Sequence, residues 1–272
     1  MDYQIYFIPT PIGNLEDMTI RAINTLKEVD LIACEDTRES KKLLDFYEIN
    51  KPLTSYHKFN EQAKSEELIA KAKNGITIGV ISDQGMPGMS DPGEILIKKC
   101  LENNISYTIL PGPSSILTAL IGSGQDMNQF VFYGFIGKKS KEKKELYEKL
   151  KTEDKTSIIF DSVHNLPKTI EDFKELFPER KLTIARELTK KFEEYKTYHI
   201  KDIDLEEITF KGEFVLILEG RKYEDFQDIS SFDDRIRQEI SEGKSTKEIV
   251  KIIRKESNFT KNEIYDYVLN FK

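Results

Sequence analysis

The chain has little of what would tie it to metals, disulfides, membranes or the common nucleotide folds. It holds two cysteines and three histidines in 272 residues. Cys34 and Cys100 lie in different segments without a pairing spacing, which points to a reducing compartment rather than a disulfide scaffold. His57, His164 and His199 are far apart and make no metal-ligand pattern, so no metal is expected. No apolar run approaches the roughly 18 residues a membrane helix needs, and the chain opens on a strand-like run without a basic leader. The expectation is a cytoplasmic protein with no membrane partner. There is no Gly-x-x-x-x-Gly-Lys-Ser/Thr phosphate loop and no Gly-x-Gly-x-x-Gly after the first strand. Neither a Gly-x-Ser-x-Gly elbow nor a His-Glu-x-x-His pair occurs. Positive charge is also short, with Lys+Arg at 41 against 48 Asp+Glu, a net charge of −7. That is not the footprint of a nucleic-acid binder, so any such contact must come from a local patch.

What is present is a β-loop-α rhythm. Strand-like runs at Tyr3–Ile8, Leu31–Cys34, Leu53–Tyr56, Ile76–Ile81 and Tyr107–Leu110 alternate with helical patterns at Thr19–Asp30, after Arg38 to about Tyr47, Glu61–Lys73, Pro92–Asn103 and Ile116–Ile121. Such repeats imply a mostly parallel sheet with helices on its faces. Six of the nine prolines fall in three loops that end strands, 9–14, 82–93 and 111–115. Gly lets the backbone turn sharply, Pro stiffens it, and stiff loops at the carboxyl ends of parallel strands are where open α/β sheets bind ligands. The three loops therefore converge on one site. Around Gly124-Gln125-Asp126, read as a hinge, the texture changes. Strand-like runs at Phe130–Phe135, Thr156–Phe160, Leu182–Ala185, Tyr195–Ile200 and Phe214–Leu218 are broken by two helices, one of them lysine-rich (138–151). The expected domains are 1–125, 126–221 and a helical region, 222–272, with capping boxes at Ser245/Glu248 and Thr260/Glu263.

Long motifs in fixed order go further. Ile8-Pro9-Thr10-Pro11-Ile12-Gly13-Asn14-Leu15, Cys34-Glu35-Asp36-Thr37-Arg38, His57-x-x-Asn60-Glu61, the 82–93 loop, Leu110-Pro111-Gly112-Pro113-Ser114, Arg186-Glu187-Leu188-Thr189-Lys190 and Lys211-Gly212-Glu213 together resemble the bacterial small-subunit ribosomal RNA 2′-O-methyltransferase I family. That family stands within the tetrapyrrole methylase superfamily. The resemblance covers the whole chain and implies a tetrapyrrole-methylase-like (class III) α/β fold. Two α/β domains would hold S-adenosylmethionine in the cleft between them. It implies a homodimer that methylates the ribose 2′-hydroxyl of a cytidine in the decoding-centre 16S rRNA of the small ribosomal subunit. The alternative reading is a superfamily methyltransferase acting on a tetrapyrrole-like small molecule; a non-enzymatic module that senses S-adenosylmethionine would not need the charged residues at the cleft. The chain departs from the family pattern at Gln84 and Met86, at 161–165 and at Gly137.

By this resemblance the cofactor residues are Pro9, Thr10, Pro11, Gly13, Asn14, Ser82, Asp83, Gly85, Met86, Pro87, Pro111, Gly112, Pro113, Ser114, Ser115, Phe160 and Gly212. Ser114 and Ser115 stand where a helix begins, suited either to polar ligand atoms or to plain capping. Asp83 can meet ligand hydroxyls or amines or shape a turn, and Asp91, before Pro92, is read as turn-shaping. The 2′-hydroxyl must lose a proton, and Asp36, Glu61 and Glu187 are the candidate acceptors, with Arg38 and Lys190 orienting the nucleotide. Lys138, Lys139, Lys141, Lys143 and Lys144 form the dense basic patch, which either tracks phosphate, the reading the resemblance favours, or makes a solvated, salt-laced helix face with Glu142, Glu145 and Glu148.

Overall fold

The computed structural model describes residues 2–137, 139–222, 228–257 and 259–271. The chain forms two compact units, Met1–Gly220 and Arg221–Lys272.

In the first unit, β1 (Ile5–Phe7), β2 (Leu31–Cys34), β3 (Leu53–Ser55), β4 (Ile78–Ile81) and β5 (Tyr107–Ile109) form a parallel sheet in the order β3-β2-β4-β1-β5. Each strand feeds a helix: α1 (Ile20–Glu28), α2 (Thr37–Phe46), α3 (Glu61–Lys73), α4 (Glu94–Glu102) and α5 (Ser115–Ser123). Strand alternation sends Ile5 and Phe7 toward Leu68 of α3 and Leu96 of α4, and Tyr6 toward Leu26 of α1 and Leu44 of α2. Both faces are covered, so the strands read as continuous apolar runs. The chain crosses one way from β1 to β2 and the other way from β4 to β5. The neighbours β1 and β4 therefore mark a switch point, and the loops leaving them border a crevice. Those loops are tied together. Thr10 and Gly85 exchange two backbone hydrogen bonds of 3.0 Å, and the buried Thr10 hydroxyl donates to the Ser82 carbonyl at 3.0 Å. Gly85 (φ +74°) makes this turn in the left-handed region that glycine tolerates. The elements are shorter than the apolar runs suggest: β1 starts at Ile5, and α4 starts only after Gly93.

The second sheet holds β6 (Phe130–Phe135), β7 (Thr156–Asp161), β8 (Lys181–Arg186), β9 (Glu194–His199) and β10 (Phe214–Leu218), in the order β6-β7-β10-β8-β9. It is mixed: β6 runs parallel to β7 and the other pairs are antiparallel. Helices α6 (Ser140–Thr152) and α7 (Leu166–Leu176) cover one face, with Leu150, Ile170 and Phe173 against Ile159, Leu182 and Leu216. The other face is covered by α5, whose Ile116, Ala119 and Leu120 pack with Ile158, Ala185 and Val215. The stretch read as a hinge is fastened to this same sheet. The Gln125 side-chain amide donates to the Ile217 carbonyl at 2.9 Å and to the Thr183 hydroxyl at 3.2 Å. Helix α5 follows a strand of the first sheet and packs on the second.

The second unit contains α8 (Asp233–Ser241), α9 (Thr246–Glu256) and α10 (Lys261–Leu269) around Ile236, Ile249, Ile253, Ile264 and Val268. Both capping boxes form as the sequence pattern predicts, Ser245 with Glu248 and Thr260 with Glu263. Each satisfies two amide donors at a helix start and is worth about 1 kcal/mol. Among the described residues no helix is long and apolar enough to cross a membrane.

Candidate active site

A cavity of about 570 Å³ lies between the strand-end loops of the first sheet and the ends of β7 and β10. Of the residues singled out in the sequence, it gathers Asp83, Gly85, Met86, Ser114, Ser115, Phe160 and Gly212. Ser114 caps α5, its hydroxyl accepting the Leu117 N–H at 3.4 Å, so Ser115 and Ile116 lie in the first turn. First-turn N–H groups have no intrahelical acceptor, and both residues line the cavity. Gly212 (φ +93°) has a second reason to be glycine. A Cβ there would fall 2.3 Å from Oε1 of Glu187.

The remaining predicted cofactor residues sit elsewhere. Pro9, Thr10, Pro11, Ser82 and Pro87 are buried under the loops and give them shape. Pro111 is exposed. Gly112 and Pro113 border a smaller hollow of about 360 Å³, and a Cβ on Gly112 would lie 2.8 Å from Cβ of Pro9. Gly112 thus lets two loops touch. Gly13 and Asn14 open on a separate surface hollow beside Lys190 and Lys191, and Gly13 lies under the 188–190 backbone and side chains.

None of the five charged residues proposed for catalysis lines the cavity among the described contacts. Asp36 caps α2, accepting the Arg38 N–H at 2.8 Å and pairing with its guanidinium at 2.9 Å. These bonds hold the Asp36 carboxyl down at about 2, leaving a weak base. The Arg38 side chain is 86% exposed. Glu61 is committed to structure: its Oε1 accepts the Gly93 N–H at 2.8 Å and the Tyr56 hydroxyl at 3.1 Å, closing the start of α4. Burial pushes the Glu187 carboxyl up, but hydrogen bonds from Lys190 Nζ at 2.9 Å and the Glu213 N–H at 3.1 Å outweigh it and leave it lowered. Lys190 also reaches Glu213 at 2.8 Å, and Glu213 in turn accepts from the Gln84 side-chain amide at 3.1 Å. Gln84, one of the departures from the family pattern, therefore links the 82–93 loop to the second sheet at the cavity wall.

The cavity's own ionisable groups are Glu35, Asp83, Asp91, Asp161 and Glu213. Burial, then the Asp83 charge, raises the Glu35 carboxyl above its usual range. Partial burial raises Asp83, opposed by the Asp36 N–H that it accepts at 3.2 Å. Burial pushes Asp91 up to about 6, with the Glu35 charge adding and Lys58 opposing. Asp91, expected from its place before Pro92 to shape a turn, also lines the cavity. A usable signal was available in the sequence. In Glu35-Asp36-Thr37-Arg38 a strand runs into a helix, and Asp is the preferred N-cap, which leaves Glu35 as the free carboxylate. On α6, the lysine patch is largely neutralised by Lys139–Glu142, Lys141–Glu145 and Lys143–Asp172 at 3.3, 3.9 and 2.7 Å. Lys138 lies outside the described residues.

The sequence profile described as Tetrapyrrole (Corrin/Porphyrin) Methylases matches residues 4–204. The chain is 40% identical over 270 residues to a Bacillus subtilis (strain 168) protein named Ribosomal RNA small subunit methyltransferase I, covering 96% of this chain and 92% of that one. A protein of the same name from Haemophilus influenzae is 40% identical over 271 residues, covering 97% and 96%. Among solved structures, a diphthine synthase superposes with a TM-score of 0.65 at 13% identity, over 79% of this chain and 89% of that one. A cobalt precorrin-4 methyltransferase gives 0.59 at 16% identity, over 79% and 94%. At these identities the likeness shows a common fold.

Proposed function

The chain belongs to the tetrapyrrole methylase family, and within it to the ribosomal RNA small subunit methyltransferase I group; from this we propose that it transfers the methyl group of S-adenosylmethionine to the ribose 2′-hydroxyl of a cytidine in the 16S rRNA decoding centre. The single observation that carries the reading in the structure is the cavity with Glu35, Asp83 and Asp91 at its wall. Its residues fit the donor. The volume of about 570 Å³ falls in the usual range for small-molecule sites, and Ile12, Leu188 and Val215 give an apolar wall. The first turn of α5 offers N–H groups to a carboxylate, and the three acidic side chains suit a ligand with a sulfonium and an amine.

S-adenosylmethionine, when bound, supplies an electrophilic methyl on a sulfonium whose charge is lost as the methyl leaves. The protein's part is alignment, an effect worth up to roughly 7–11 kcal/mol, and removal of the hydroxyl proton. Asp91, with its carboxyl near 6, is ionised at neutral pH yet basic enough to accept that proton. Asp36 and Glu187, held low by Arg38 and Lys190, are poor acceptors and act by fixing those cations. Arg38, exposed beside the cavity loops, is suited to a phosphate of the substrate. The two sheets are read as two domains, 1–125 and 126–221, working as a cytoplasmic homodimer.

The test is single-turnover methyl transfer to small subunits from cells lacking the protein, with nucleoside mass spectrometry of the product. The expected product is one 2′-O-methylcytidine in the decoding region. Asp91→Asn should slow transfer by roughly 10²-fold or more, and Asp36→Asn by less. Methylation on a base, or transfer to a tetrapyrrole but not to small subunits, would refute the assignment.

A further inference from the structure

The acidic balance of the chain is not evenly spread. Residues 221–272 carry eleven basic and eleven acidic side chains, so the whole of the −7 lies in residues 1–220. Within the second unit the charges are further sorted along α9. Lys247, Lys251, Arg254 and Lys255 are all exposed. At 3.6 residues per turn they fall within an arc of about 100° on one side of the helix and span about 12 Å of its length. The acids of the same helix are occupied elsewhere. Glu248 is held in the Ser245 capping box, its Oε2 accepting the Ser245 N–H at 2.8 Å, and Glu256 lies 4.0 Å from Arg235. The neighbouring acids Glu239 and Glu242 pair with Lys244, and Glu239 also with Arg235. Among the described residues no ion pair engages the four cations of the α9 stripe. This is the reverse of α6, where cation and anion alternate and close on one another.

We infer that the solvent face of α9, through Lys247, Lys251, Arg254 and Lys255, docks on the phosphate backbone of RNA. The inference rests on the reading of the chain as a ribosomal RNA methyltransferase and names the surface that holds its substrate. Charge complementarity selects the partner. Lys247, Lys251 and Lys255 recur once per turn, about 6 Å apart, on a rigid rod, and Arg254 adds a fork that can take two phosphate oxygens. A membrane surface would need an exposed apolar face beside the cations. In α9 that face is used, since Ile249, Val250 and Ile253 are buried in the unit's core. A base-reading site is not implied. The stripe supplies affinity and orientation without regard to sequence.

The test compares the full chain with a variant carrying Lys247→Gln, Lys251→Gln, Arg254→Gln and Lys255→Gln, and with a control carrying Lys139→Gln and Lys141→Gln. Affinity for purified 16S rRNA is measured across a salt series. Each phosphate contact to single-stranded RNA contributes about 0.7 to the slope of log affinity against log salt, so the α9 variant should lose about 3. At about 0.1 M salt that slope is worth up to about 10³-fold relative to 1 M, which bounds the loss of affinity. The α6 control should keep its slope. S-adenosylmethionine affinity and helical circular dichroism, expected to be unchanged, show that the variant is folded. An unchanged slope in the folded α9 variant, with rRNA methylation by the unaltered chain intact, overturns this inference alone. If the unaltered chain neither binds nor methylates rRNA, the functional reading falls and takes the inference with it.

Discussion

Replacing Asp91 by Asn should stabilise the protein and impair it at once. The carboxyl of Asp91 is raised from an ordinary 3.8 to about 6, first by burial and then by the Glu35 charge. For an acid raised in this way, the folded chain holds a proton more tightly than the unfolded chain. Folding stability is therefore undiminished below about pH 4, declines as pH rises through the window from about 4 to about 6, and carries the full cost above it. The difference corresponds to about 3 kcal/mol at 1.36 kcal/mol per tenfold. Asp91 is only half-buried, and solvent screening reduces this to about 1.5 kcal/mol. Asn keeps the shape and removes the charge, and it also relieves Glu35 and Asp83. Urea unfolding of both proteins should show the variant about 1.5 kcal/mol more stable near pH 7.5 and nearly equal to the parent near pH 4. The same variant should lose more affinity for S-adenosylmethionine than for the thioether product, which keeps the amine but has lost the sulfonium charge. A stability difference that does not change with pH, or an equal loss of affinity for both ligands, would refute the electrostatic reasoning.

Gly212→Ala must hold a Cβ at φ +93° and 2.3 Å from Oε1 of Glu187; a loss of about 2–4 kcal/mol is expected from the left-handed backbone and the broken Lys190 bond, and a second change, Glu187→Ala, should restore only the steric part, as chemical unfolding of the single and double variants will show. Gly112→Val should lower donor affinity only together with the melting temperature, because its side chain meets Pro9; weakened binding in calorimetry at an unchanged melting temperature would instead place Gly112 against the ligand. Leu117 and Ile121 are exposed on α5 and line the hollow that contains Thr19 and Gly112; Leu117→Glu with Ile121→Glu should convert the proposed homodimer to monomers in sedimentation, whereas an unaltered chain that sediments as a monomer refutes the dimer and an unchanged coefficient in the variant refutes this contact.

The general architecture was legible because its signals are local. Proline and glycine punctuate the strand ends, apolar runs mark strands covered on both faces, and capping boxes mark α9 and α10. The site was legible only to the level of its loops. Adjacent carboxylates such as Glu35 and Asp36 look alike in sequence, and what separates them is that one caps α2 and the other faces the cavity. Asp91 precedes a proline and so carried a turn signal stronger than any sign of burial. Glu61 drew notice through its motif, yet its partners, Gly93 and Tyr56, come from elsewhere in the fold. The lysines of α6 were conspicuous in number. Whether a cation is free depends on neighbours that a linear count does not weigh, such as Asp172 on α7 for Lys143.

The placement of α5 has a consequence for how the protein is made. Its apolar residues Ile116, Ala119 and Leu120 rest on β10, the strand at the middle of the second sheet and the last of that sheet to be synthesised. On a ribosome adding about 5–20 residues per second, the interval between Leu120 and Phe214 lasts roughly 5–20 s. Throughout that time the first sheet can be complete while the helix that leaves it lacks the central strand of the sheet it covers. The nascent chain thus exposes an apolar ridge at a fixed stage of synthesis, where a chaperone can hold it until Phe214–Leu218 emerges, and slow codons between α5 and β10 would lengthen that exposure.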